Sequence, residues 1–279
     1  MKKASLRLRA WYIAVAVGAL LTTALRTLAL LTAFDPHPGY FRTAAPVVVA
    51  FYAVLVLTLL LAAFLPLFIK KNVLPTALPA PTLPGICAAG ICALLFMINF
   101  IEGCFAGDAL QLPAALWFVG LLTLLIGVIY FALRFLAQKP PVHVTLLCGY
   151  GTILSFALLL CFTYFDQFTP MNAPHKVSLH LAWLSLMVYL LYDLRALAGE
   201  PMPRAAVAGT AVAFTLSLST GISNLIAFAG NVYHSVPYLV QDLLLLGLAV
   251  YIGTHGAAAA RHNVAALCAQ EQEANDECR

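Results

Sequence analysis

Charge is what this sequence has least of: 9% of its 279 residues are Asp, Glu, Lys or Arg. Soluble domains run near a quarter charged, because a folded globule needs a polar surface against water. A chain this poor in charge cannot clothe a soluble fold of its size. The net charge of +4 is also too small to point to nucleic acid, and no such partner is expected. Complete catalytic signatures are missing too. There is no HExxH helix for zinc and no GxSxG nucleophile turn, and Gly221-Ile222-Ser223-Asn224 matches the latter only superficially. The seven histidines follow no repeating ligand spacing and the seven cysteines contain no CxxC pair, so no metal and no cofactor is expected. An aspartyl dyad of Asp193 and Asp242 is ruled out by position, since the two fall toward opposite ends of their hydrophobic stretches.

What is abundant is apolar residue, at 63% of the chain. It comes in stretches of the roughly 20 residues needed to cross about 30 Å of hydrocarbon. We read eight spans: about Ala10 to Phe34, Thr43 to Ile69, Gly85 to Phe105, Ala114 to Leu136, Val144 to Phe165, Val177 to Leu197, Ala205 to Gly230 and Val236 to Ala258. The first is too long for a signal-peptide core and lacks a small-residue cleavage site, so it reads as an uncleaved span. Turn-forming Asp35-Pro36-His37-Pro38-Gly39, a connector with Pro75, Pro79, Pro81 and Pro84, and a loop from Asp166 to Pro174 separate spans. The small residues Gly85, Ala88, Ala89, Gly90 and Ala93 suggest that the third span is central, because small side chains let helices approach closely in lipid. The Leu-rich fourth span is expected to face lipid. It shares with the eighth a Leu-rich run ending in tyrosine, Tyr130 and Tyr251, too weak a likeness to establish a repeat.

The fold class is therefore an all-α polytopic transmembrane bundle. Residues 1–260 form one helical domain, and 261–279 a short polar tail too short to fold alone. Lys and Arg set its orientation. Lys2, Lys3, Arg7, Arg9, Lys70, Lys71, Arg134, Lys139, Arg195, Arg204, Arg261 and Arg279 lie on one side, against Arg42 and Lys176 on the other. The positive-inside rule then places both termini and the tail in the cytoplasm, and the chain as a multi-pass protein of the plasma (inner) membrane. Cys87, Cys92 and Cys148 act as small apolar residues within spans. Cys268 and Cys278 belong to the reducing side. Cys104 and Cys161 both approach the outer surface, so the topology admits a disulfide between them.

Ionisable groups within hydrocarbon are costly and usually face a bundle interior or wet cavity. Arg26 lies about eight residues from the outer end of its span, roughly 12 Å deep at 1.5 Å per residue. It shares one face with Gly18 and Thr22. Two acids are candidate partners: Asp242, with Tyr238 on its face, and Glu102, with Asn99 on its face. The seventh span carries a polar stripe of Ser217, Thr220 and Asn224, and His180 follows Lys176 by four residues near the outer interface. Arg26, Asn99, Glu102, Asp166, His180, Asn224 and Asp242 all fall in the outer half and form the expected ligand-binding set. Each also has an ordinary structural reading: an ion pair, a hydroxyl bonded to its own backbone, or an interfacial side chain. The inner half reads as sealed and apolar down to Asp193 and Arg195, an interfacial pair. Together these features suggest an outward-open polar cavity. Two functions fit it. One is a small-solute transporter or permease-like protein in which Arg26 holds an anionic group and Asp242 or Glu102 balances it. The other is a membrane sensor or assembly subunit that binds a ligand or partner outside and signals through cytoplasmic loops. The expected partners are the lipid bilayer, a small-molecule ligand, and a membrane or cytosolic protein.

Overall fold

Lipid offers no hydrogen bonds, so a chain crossing it must satisfy its backbone internally, and a helix does so within one segment. The computed structural model describes residues 3–35, 39–42, 44–68, 82–105, 114–136, 141–165, 170, 173–232 and 236–276. These fold into α1 (Lys3–Ala33), α2 (Pro46–Phe64), α3 (Leu83–Phe105), α4 (Ala114–Leu136), α5 (Val142–Phe165), α6 (Pro174–Leu197), α7 (Pro203–Ala229) and α8 (Val236–Asp276). All eight are long and apolar enough to cross a bilayer. The chain is thus an all-α multi-pass bundle. A two-residue hairpin, β1 (Phe34–Asp35) with β2 (Tyr40–Phe41), turns the chain between α1 and α2.

Proline sets several starts. Pro46, Pro174 and Pro203 each open a helix, where the missing N–H costs nothing because that group has no intrahelical acceptor. Pro174 therefore begins α6 three residues before the expected Val177, and brings His175 and Lys176 into the helix. At the other end of α6, Gly199 takes φ +89°. Glu200 N–H then reaches Arg195 O at 2.9 Å and Gly199 N–H reaches Ala196 O at 3.2 Å, a Schellman stop that a residue with Cβ would strain. The polar segment after Ala258 does not leave the helix, since α8 continues unbroken to Asp276.

Six helices close a ring in chain order, α3 to α8, with α8 returning to α3; α1 packs on α7 and α2 covers both. Neighbours run antiparallel: Gly90 early in α3 meets Phe135 late in α4, and Gly256, late in the apolar span Tyr238–His262 of α8, meets Thr210 early in α7. One end of the bundle, where α4, α6 and α8 deliver Arg134, Arg195 and Arg261, is its basic end.

The ring interior is filled with aromatic side chains. Phe96 stacks on Phe131 with centroids 5.4 Å apart, Phe156 stacks on Trp183 at 5.4 Å, and Phe96 and Phe156 lie 5.9 Å apart. Tyr251 closes edge-on against Phe131 at 5.2 Å. All are fully buried. Gly127 admits this packing, because a Cβ there would lie 2.6 Å from the Phe96 ring. The helix at the centre is α7, with 61% of its span buried against 33% for α3. The third span's small residues serve its contacts with α4 and α8 instead. The fourth is only half lipid-facing: Phe118 and Leu122 point out, while Leu124, Tyr130 and Phe131 point into the ring.

Candidate functional site

Arg26 is buried on α1, about 10 Å from that helix's end at Ala33. Nη1 donates to Thr220 Oγ1 at 2.9 Å, and Nη2 donates to Asn224 Oδ1 at 2.9 Å and to Ser178 Oγ. Asn224 Nδ2 in turn donates to Asp242 Oδ1 at 2.8 Å. One amide thus links a guanidinium on α1 to a carboxylate on α8, with α6 and α7 supplying neutral oxygens. All three principal groups are buried. Burying a charge is tolerable only when it is hydrogen-bonded, and three oxygens hold the Arg26 guanidinium here. Beside it, Thr27 Oγ1 donates to Ser223 Oγ at 3.1 Å and Ser223 Oγ donates to Thr23 O at 3.3 Å, so hydroxyls pin α1 along α7.

Of the seven residues expected to form a site, Arg26, Asn224 and Asp242 come together directly. Asn99 joins from the side: its Nδ2 donates to Val240 O at 3.3 Å, two residues before Asp242, and to Leu95 O on its own helix. Glu102 is half-buried one turn further along α3 and takes no part in this chain of hydrogen bonds. His180 points toward α5, with its ring 6.0 Å from that of Tyr164. Asp166 lies outside the described residues. In the polar stripe of α7, Thr220 and Asn224 reach Arg26. Ser217 is fully buried, and its hydroxyl has no partner among the described residues.

Two residues near this cluster escaped the sequence reading and a third was placed in a loop. Ser178 bonds Arg26, His175 packs its ring 4.6 Å from that of Tyr238, and Lys176 is fully buried. The signal was Pro174, which reads as a loop breaker but stands at the first helical position. Lys176 is consequently no loop charge.

The half toward the basic end is not sealed as expected, since a cavity opens there, and Asp193 and Arg195 do not pair with each other. Arg134 Nη2 pairs with Asp193 Oδ2 and donates to Tyr130 Oη at 3.2 Å, while Tyr130 Oη donates to Asp193 Oδ2 at 3.3 Å. The Arg134 guanidinium also sits 5.5 Å from the Tyr130 ring centroid. Asp193 is therefore held by α4, and not by Arg195, which pairs with Glu200 at 3.3 Å. Arg134, read from sequence as a loop cation, stands in the last turn of α4 and pairs with Asp193 inside the bundle. The tyrosines that end the two Leu-rich runs meet here: Tyr130 is in the cluster, and Tyr251 lies under His255 with centroids 4.5 Å apart. The four-residue spacings Tyr130–Arg134 and Tyr189–Asp193 place each pair on one helical face, a signal that was available in the sequence.

A cavity of about 440 Å³ opens at this basic end, between α1, α6, α7 and α8. This is opposite to the end where an open cavity was expected; at the other end, the polar side chains close on one another. Cys104 and Cys161 are free thiols, so the disulfide does not form. Among the described residues no three His, Cys, Asp or Glu side chains converge as a metal site. Comparison with families of proteins, with curated proteins and with solved structures finds no match to this chain.

Proposed function

We propose that this chain is a ligand-binding membrane protein of the sensor or assembly-subunit kind, with Arg26 as its anion-recognising group. The observation that carries the reading is the Arg26–Asn224–Asp242 chain of hydrogen bonds. A guanidinium held by hydroxyl and amide oxygens can exchange a neutral oxygen for a carboxylate or phosphate, and Asp242, one amide away, can hold a proton while the anion is bound, so that no charge is left unbalanced. Guanidinium geometry favours such planar, two-point recognition. By the positive-inside rule the basic end faces the cytoplasm, so Arg26 stands in the outer half of a cytoplasmic-membrane protein.

The choice of sensor over permease rests on two features. Transporters of the repeat-built kind expose unwound backbone at a midplane site, whereas each of these spans is a continuous helix. The axis between the two polar clusters is also filled by Phe96, Phe131, Phe156 and Trp183. A permease is the second reading, favoured by the cavity at the opposite end from Arg26.

The test is a panel of small carboxylates and phosphates, scored by thermal unfolding in detergent and by uptake into proteoliposomes. An anion that stabilises the wild type but not Arg26→Lys, without being taken up, supports the sensor reading. Saturable uptake abolished in Arg26→Lys would establish the permease instead. Stabilisation unchanged in Arg26→Lys would remove Arg26 from the site.

A further inference from the structure

Two cavities adjoin at the basic end. The first, about 440 Å³, is walled by Trp11, Val15, Tyr192, Phe214 and Ile252. The second, also about 440 Å³, is lined by Arg195, Glu200 and Arg204. They share Pro201, Met202 and Pro203, the connector from α6 to α7. An apolar chamber therefore lies beside a basic hollow, with the α6–α7 connector common to both, at the end of the bundle where the headgroups of a bilayer would lie.

The basic hollow carries more cation than anion. Arg195 gives one Nη to Glu200 at 3.3 Å, and Arg204 lines the same hollow beside them. Two guanidinium groups against one carboxylate leave a net positive site. Tyr189, 7% exposed, lines the apolar chamber, and its buried hydroxyl has no partner among the described residues. Tyr189 lies six residues before Arg195, about 9 Å deeper at 1.5 Å per residue. That is the side on which the acyl ester of a lipid would sit relative to its headgroup.

We propose that these adjoining cavities bind an anionic phospholipid across the Pro201–Pro203 connector, with its headgroup between Arg195 and Arg204, an ester near Tyr189 and an acyl chain against Trp11, Val15 and Phe214. The chemistry of both chambers is needed for this assignment. A free anion would leave the apolar chamber empty, and a zwitterionic lipid would leave the guanidinium groups without a matching charge. Basic pockets between membrane helices hold anionic headgroups for this reason.

The test uses the full chain in detergent. Phosphatidylglycerol added in mixed micelles is expected to raise the unfolding midpoint by several degrees, whereas phosphatidylcholine or inorganic phosphate does not. Native mass spectrometry should show one phosphatidylglycerol retained. The double variant Arg195→Gln with Arg204→Gln should lose the difference between the two lipids, and Arg42→Gln, at the opposite end, should keep it. Ala206→Trp leaves both arginines in place but fills the apolar chamber, and should also abolish the retained lipid. Equal stabilisation by both lipids, a full effect from inorganic phosphate alone, or undiminished lipid retention in Ala206→Trp would each overturn the proposal.

Discussion

Asn224 donates to Asp242 across 2.8 Å, and this bond ties the central helix α7 to α8 at the level where α1 delivers its guanidinium. Asn224 therefore acts as a spacer, its carbonyl oxygen accepting from the guanidinium and its amide donating to the Asp242 carboxyl group.

Replacing Asn224 with Leu should leave Arg26 and Asp242 each short of a hydrogen bond. Losing a bond to a buried charged group costs about 1.5–3 kcal/mol. A clear drop in the unfolding midpoint in detergent is expected. Ser217→Ala on the same helix removes only an unpartnered hydroxyl, and should be neutral or slightly stabilising. Equal effects from the two variants would show that Asn224 is not the link described.

The Arg134–Asp193 pair calls for a double-mutant cycle. Arg134→Gln and Asp193→Asn should each destabilise by about 3–5 kcal/mol, because each strands a buried charge. The double variant should cost clearly less than their sum. Additive losses would mean that the two groups are stabilised independently.

Gly127→Ala tests the aromatic core. A methyl group 2.6 Å from the Phe96 ring overpacks the ring interior, at a cost of about 1–3 kcal/mol. Adding Phe96→Leu should recover part of the loss. If Gly127→Ala is silent by itself, α3 and α4 can separate more easily than this packing allows.

Orientation can be read chemically. In a background whose exposed thiols are replaced, Glu200→Cys should react with a membrane-impermeant maleimide only after the cytoplasmic face is opened. Arg42→Cys should react in intact cells. The reverse pattern would invert the bundle and place Arg26 in the inner half.

Depth was the part of the site most legible in the sequence. A charge far inside an apolar run must find a partner, and both Arg26 and Asp242 lie near the same end of the bundle. The choice between Asp242 and Glu102 was not legible, because it depends on helix rotation about α3 and α8, which hydropathy does not report. The Arg134–Asp193 pair was hidden for another reason. Both residues sit in the last turns of their spans, where a loop charge and an intramembrane charge look alike. Counting Arg134 and Lys176 as loop residues nonetheless left the orientation argument intact. Moving them indoors takes one cation from each side, and the surplus stays at the basic end.

The unbroken α8 has a mechanical consequence. Its 41 residues extend about 60 Å at 1.5 Å per residue, roughly twice the hydrocarbon thickness. Asp242 is near one tip and the acidic run Glu271, Glu273, Asp276 is at the other. A rod of that length behaves as a lever. A tilt of a few degrees about the level of Asp242 would displace the far tip, about 50 Å away at 1.5 Å per residue, by several ångströms while barely moving the hydrogen bonds near Asp242.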